Sequence, residues 1–163
     1  MKIAIVYHSE TGNTQRMAEL VQQGCQQVPG VEARCMSIDA VDSAYVEEAR
    51  AVIFGSPTYE GTCSWQMKKY LDTEPGGLAG KLAGVFVSQN WPGGGGGSFA
   101  EMSIIAALLV HGMLVYSGGI SLGAPYLHFG AVSTRAPHDD LYRQRCLKLG
   151  DNIARKAQEI FGR

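Results

Sequence analysis

Ser9-Glu10-Thr11-Gly12-Asn13-Thr14 lies between an apolar run, Ile3-Ala4-Ile5-Val6-Tyr7, and a helical pattern formed by Met17, Leu20, Val21, Gly24 and Val28. The order is strand, tight loop, helix, the first half of a βαβ unit. Backbone N–H groups in such a loop have no strand partners, and they sit where a helix N-terminus concentrates positive partial charge. That combination favours a phosphate. Gly12 permits the tight backbone, and the hydroxyls of Ser9, Thr11 and Thr14 are potential donors. The loop holds no lysine, so it is not the Gly-x-x-x-x-Gly-Lys-Ser/Thr nucleoside-triphosphate loop. A neutral cradle suits a monophosphate held without a metal. The same composition also suits a plain helix N-cap.

The chain has 163 residues, enough for one domain over 1–163 with a proper core, and a net charge of −1. No basic patch suits nucleic acid, and no apolar stretch is long enough to span a membrane. A strand pattern begins within residues 1–7 with no signal peptide. Cys25, Cys35, Cys63 and Cys146 form no metal-ligand or redox spacing. These features point to a cytoplasmic protein with reduced thiols.

Going outward from the loop, the pattern predicts strands near residues 2–7, 31–38, 51–55, 82–88 and 113–116. Helices are expected over 13–27, 42–49, 65–71, 99–111 and 139–161. Residues 56–64 and 89–98 read as loops, Pro75-Gly76-Gly77 as a helix stop, and 117–137 as irregular. Alternating elements with apolar strands give an α/β fold whose parallel sheet is covered on both faces. Ligands of doubly wound sheets sit beyond the strands' carboxyl ends. Three loops leave such ends, and they are the three with unusual compositions.

The second of these reads Ser56-Pro57-Thr58-Tyr59-Glu60-Gly61, with an aromatic at its tip where a flat ligand could stack. The third reads Ser88-Gln89-Asn90-Trp91-Pro92, followed by five glycines, Gly93 to Gly97, which would give a ligand close access to bare backbone. A turn with one exposed Tyr and a flexible loop are the plainer alternatives. No hydrolytic motif appears, no metal site is expected, and no side chain is assigned a catalytic role. A phosphate cradle, two aromatics and a glycine wall describe a slot for a flat ring with a phosphate tail. A bound cofactor would supply the chemistry.

Ser9-x-Thr11-Gly12-Asn13-Thr14 resembles the FMN-phosphate loop of flavodoxins. Pro57-Thr58-Tyr59 with Gln66 to Asp72, the glycine run, His111-Gly112-Met113 and Gly123-Ala124-Pro125-Tyr126 resemble the flavodoxin-like NAD(P)H:quinone oxidoreductases, the tryptophan-repressor-binding-protein family. There are two departures. That family's first loop is usually not Thr-Gly-Asn-Thr, and its Trp-bearing insertion after the third helix is missing from the short segment Thr73 to Lys81. The resemblance implies a flavodoxin-like five-stranded parallel sheet of order 2-1-3-4-5 with FMN at the switch point. In that reading Ser9, Glu10, Thr11, Gly12, Asn13 and Thr14 hold the phosphate. Pro57, Thr58, Tyr59, Glu60 and Gly61 cover one side of the isoalloxazine. Ser88, Gln89, Asn90, Trp91, Gly93, Gly94 and Gly95 follow its pyrimidine edge.

Two functions are then expected: an FMN enzyme passing electrons from NAD(P)H to a quinone or similar acceptor, or a flavodoxin-type carrier between protein redox partners. A net charge of −1 steers weakly toward basic partners, which favours the enzyme. The helix over Ile104 to Val110 is apolar around its circumference, so a second partner is expected beyond the sheet. A symmetric homo-oligomer, dimer or tetramer, would satisfy it. The resemblance also gives His111 an FMN contact. A dozen helical residues would carry it roughly 18 Å from its own glycine loop, so the contact would have to reach a neighbouring subunit's FMN. A histidine simply ending its helix is the plainer reading.

Overall fold

The computed structural model describes residues 1–73 and 76–162. The chain forms β1 (Lys2–Tyr7), α1 (Asn13–Gln26), β2 (Glu32–Ser37), α2 (Ser43–Glu48), β3 (Ala51–Tyr59), β4 (Thr62–Cys63), α3 (Trp65–Thr73), β5 (Leu82–Gln89), α4 (Gly97–Val110), β6 (Leu114–Val115), β7 (Ala131–Thr134) and α5 (Asp140–Phe161). The parallel sheet runs β2-β1-β3-β5, and β6 and β7 both pair with β5 along the next position. This is the expected 2-1-3-4-5 order, with the fifth strand in two pieces. The expected helix stop at Pro75 lies outside the described residues.

Two-sided burial explains the apolar strands. Along β1, Ile3 and Ile5 face α1 and α5, joining Met17, Val21, Phe86, Leu149 and Ile153 in one core. Ala4 and Val6 face the opposite layer, where Phe54, Met67, Leu71, Val85, Ile104 and Leu108 pack. Alternate residues of a strand point to opposite faces, so a strand covered on both sides has no polar face to show.

Two expectations are corrected. Residues 117–137 are not irregular throughout. Ala131–Thr134 pairs with Phe86 to Gln89 and completes the fifth strand. Register places Ala83 opposite Val115 and Phe86 opposite Ala131, so a surface excursion interrupts that strand. Nor is 56–64 a simple loop. β3 continues to Tyr59 and turns back antiparallel into β4, pairing Thr58 with Cys63 and Tyr59 with Thr62. Buried Ser56 and Ser64 anchor this hairpin to α3. Ser64 N donates to Ser56 Oγ at 2.9 Å, and Met67 N donates to Ser64 Oγ at 3.2 Å, which caps the helix.

Candidate functional site

The ends of β1, β3 and β5 bring the three unusual segments together. A cleft of about 260 Å³ is lined by Ser9, Glu10, Thr11, Asn13 and Thr14, by Pro57, Thr58 and Tyr59, and by Ser88, Gln89 and Asn90. A second, of about 400 Å³, is lined by Thr58, Tyr59, Glu60, Gly61, Asn90, Trp91, Gly94 and Gly95. Thr58, Tyr59 and Asn90 border both, so the two form one groove with a polar end and an aromatic end. Gly12 and Gly93 belong to the same loops without lining the groove.

At the polar end, the loop's hydroxyls do not cap α1. Its N-cap is Gly12, at φ 85°, no side chain bonds the cap, and the first turn holds no acidic residue. A left-handed φ of this kind favours glycine. The N–H groups of a 14-residue helix therefore open on the cleft without a side-chain acceptor, which overturns the plain N-cap reading. Asn13 Nδ2 donates to Thr11 Oγ1 at 3.2 Å. The buried Thr14 Oγ1 lies 2.9 Å from Ser88 Oγ, with either able to donate.

At the aromatic end, the hairpin turns on Glu60 and Gly61, both at positive φ, 48° and 79°. Thr58 Oγ1 is buried beside the groove with no hydrogen-bond partner among the described residues. Such an orphan is costly unless a bound group satisfies it. The glycine run divides in role. Gly94 has open space around it, as a ligand wall requires. Gly96, at φ 78°, packs its Cα side against the hairpin tip, and a Cβ there would stand 3.0 Å from Gly61 Cα. Gly97 N donates to Gln89 Oε1 at 2.8 Å and begins α4. Trp91 stands at the rim, 70% exposed.

The two ends are joined by Glu10. Its Oε2 accepts from the Tyr59 hydroxyl at 3.1 Å, and its Oε1 accepts from Gln66 Nε2 of α3 at 3.0 Å. Partial burial, then the adjacent Glu10 carboxylate, raise the Tyr59 phenol above its ordinary value. Glu10 is expected among the residues holding the phosphate and Tyr59 against the ring, but the Glu10 carboxylate is engaged by Tyr59 and Gln66 instead. Their bond and the part of Gln66 were not foreseen.

His111 is not brought into the groove of its own subunit. It caps the C-terminal end of α4, and its Nε2 is 2.9 Å from the carbonyl oxygen of Leu71 in α3. The helix begins beside the groove and runs back along the sheet, which carries its last residue to the other end. Within the subunit, the helix-ending reading describes this residue.

A family profile described as Flavodoxin matches residues 5–104. A flavodoxin of Clostridium saccharobutylicum is 39% identical over 162 residues, covering 99% of this chain and all of that one. An NAD(P)H dehydrogenase (quinone) of Geobacter sulfurreducens is 35% identical over 159 residues, covering 80% of this chain and 75% of its own. Among solved structures, a flavodoxin, WrbA-like protein from Agrobacterium tumefaciens superposes with a TM-score of 0.74 at 26% identity, over 97% of this chain and 98% of that one. The fold and groove define a flavodoxin-like FMN protein. The chain belongs to the flavodoxin family, with kinship to the quinone oxidoreductases built on the same fold.

The residues present fit the cofactor. The uncapped start of α1 and the hydroxyls of Ser9, Thr11 and Thr14 match a phosphate. The orphaned Thr58 hydroxyl and the Gly94 wall match a polar-edged flat ring.

Proposed function

We propose that this protein is a flavodoxin-type carrier that moves electrons between protein redox partners through bound FMN. One observation carries the reading: among the described residues, no lysine, arginine or histidine lines either cleft of the groove. A pyridine nucleotide brings a diphosphate, and proteins hold such groups with cationic side chains or helix N-termini. Of the two helix N-termini beside the groove, that of α1 is the one assigned to the FMN phosphate, and at the start of α4 the Gly97 N–H is already taken by Gln89 Oε1. Proton donors are equally scarce. Glu10 and the Tyr59 hydroxyl are bonded to each other, and Glu60 stands exposed at the hairpin turn. Electron transfer alone needs neither group.

When bound, FMN supplies the redox chemistry, and the chain holds and shields it. Ser9 to Thr14 take the phosphate, Tyr59 and Trp91 border the ring, and Thr58 offers a hydroxyl at its edge. Relatives support the reading by identity: the Clostridium flavodoxin is 39% identical to this chain and the Geobacter quinone dehydrogenase 35%.

The alternative is an enzyme passing electrons from NAD(P)H to a quinone. It draws on relatives with that name and on the small net charge, −1. The two readings separate in one anaerobic experiment. FMN-loaded protein mixed with NADPH, with and without benzoquinone, should stay oxidised while dithionite bleaches it fully. Sustained NADPH consumption with benzoquinone would overturn the carrier reading. As part of the same proposal, two copies associate through the outward face of α4.

A further inference from the structure

Glu10 is the one charged residue in a cradle that is otherwise neutral. A carboxylate beside a phosphate site is unfavourable, since like charges repel and both lose solvation. Both Glu10 carboxylate oxygens are turned to the hairpin and to α3, where they accept from Tyr59 OH at 3.1 Å and from Gln66 Nε2 at 3.0 Å. These bonds span 49 and 56 residues of sequence. They tie the phosphate loop to the hairpin and to α3, which Ser56 and Ser64 already join to each other. Tyr59 lines both halves of that groove, so the angle of its ring sets the width available to a flat ligand.

Resting on the FMN reading above, we propose that Glu10 is a positioning residue: its carboxylate holds the Tyr59 ring in the flavin-ready position and thereby couples the phosphate loop to the ring-binding wall. The phenol has two torsions to fix, and a hydrogen bond to a charged acceptor fixes them before the ligand arrives. The charge itself is dispensable, but its acceptor atom is not. Gln66 Oε1 is buried without a partner among the described residues. If Gln replaced Glu10, its carbonyl could still accept from Tyr59. Its new amide could donate to Gln66 Oε1 after a flip of the Gln66 amide. A Glu10→Gln chain therefore keeps the latch and loses the repulsion, while Glu10→Ala loses both.

Riboflavin separates the two effects, because it carries the ring without the phosphate. Apoprotein is titrated with riboflavin and with FMN, following flavin fluorescence. Glu10→Ala should weaken riboflavin binding about fivefold to tenfold, the range of one net hydrogen bond. Glu10→Gln should restore riboflavin binding to the parent level and bind FMN more tightly than the parent does. Tyr59→Phe should lose as much riboflavin affinity as Glu10→Ala, and the double variant should lose no more than either alone. A merely structural Glu10 would not give this non-additivity or the rescue by Gln. Unchanged riboflavin affinity in Glu10→Ala, failure of Gln to rescue, or simply additive losses would each overturn the latch while leaving FMN binding intact. A parent protein that bound neither flavin would overturn the FMN reading and the latch with it.

Discussion

The hydroxyls of Thr14 and Ser88 meet at 2.9 Å beneath the polar end of the groove, tying the first turn of α1 to the carboxyl end of β5. Both residues are buried, so each serves as the other's partner as well as a wall of the site. Two consequences can be told apart. Thr14→Ala alone leaves Ser88 Oγ without its partner and should cost about 1–3 kcal/mol of folding stability, read from urea midpoints. Adding Ser88→Ala should recover part of that loss, because no polar atom is then stranded. Thr11→Ala with Thr14→Ala should lower FMN affinity at least ~100-fold, since bonds to a charged group are worth about 1.5–3 kcal/mol each. An FMN dissociation constant equal to the parent's would remove the phosphate from this loop.

The tryptophans make the ring's position measurable. Trp91 lines the aromatic half of the groove, whereas Trp65 borders a separate cleft with Ile38, Lys69 and Tyr70. FMN should therefore quench Trp91 strongly, and Trp91→Phe should abolish most of the quenching. If the Trp91→Phe protein were quenched as fully as the parent, the ring would have to lie on the Trp65 side.

How much of this was readable beforehand follows from range. The strand–loop–helix at residues 2–26 was legible because two-sided burial makes β1 uniformly apolar and the loop's composition is local. The β3–β4 hairpin was missed because its pairing involves only Thr58, Tyr59, Thr62 and Cys63. Its one signal is the Glu60-Gly61 dipeptide, and the left-handed turn it makes more commonly begins with Asn or Asp. β7 was missed because Ala131–Thr134 is short and pairs with β5 only after the excursion that interrupts the strand. Part of the glycine run was read as ligand wall, but Gly96 answers to Gly61, a neighbour no local window contains. The Glu10 bonds lie beyond any sequence pattern for the same reason.

The outward side of α4 carries the prediction of assembly. Phe99, Met102, Leu109 and Val110 are exposed along it, Val110 at 87%, while Ile104, Ile105 and Leu108 cover the sheet. Leu114 of the adjoining edge strand extends the apolar surface. A second copy presenting the same stripe would bury both, as a two-fold interface requires. Sedimentation at micromolar concentration should show a species at about twice 17.5 kDa. Phe99→Glu with Val110→Lys should return it to monomer with FMN binding retained. A parent sedimenting only as monomer would refute the interface.

Glu101 supplies a prediction about pH. It sits in the first turns of α4, only 2% exposed, and its Oε1 has no hydrogen-bond partner among the described residues. It borders a cavity of about 190 Å³ with Ser98, Tyr126, His128, Gly130 and Arg145. Neither His128 nor Arg145 forms an ion pair with it among the described residues. Gly130 is required beside it, since a Cβ there would come within 2.0 Å of the Val85 carbonyl oxygen and 2.8 Å of Glu101 Oε1. Burial pushes this carboxyl up to about 8, from an ordinary 4.5. Between those values the folded chain keeps a proton that the unfolded chain has released. The sign follows: stability is fully present below about 4.5 and is lost as pH rises toward 8, at up to ~1.4 kcal/mol per pH unit from this group. Glu101→Gln removes the ionisation and keeps the shape. Urea midpoints of parent and variant should lie close together at pH 5 and diverge steadily to pH 8, with the variant the more stable by a few kcal/mol at the upper end. A gap that did not change with pH would show that Glu101 ionises at its ordinary value and is not held neutral by its surroundings.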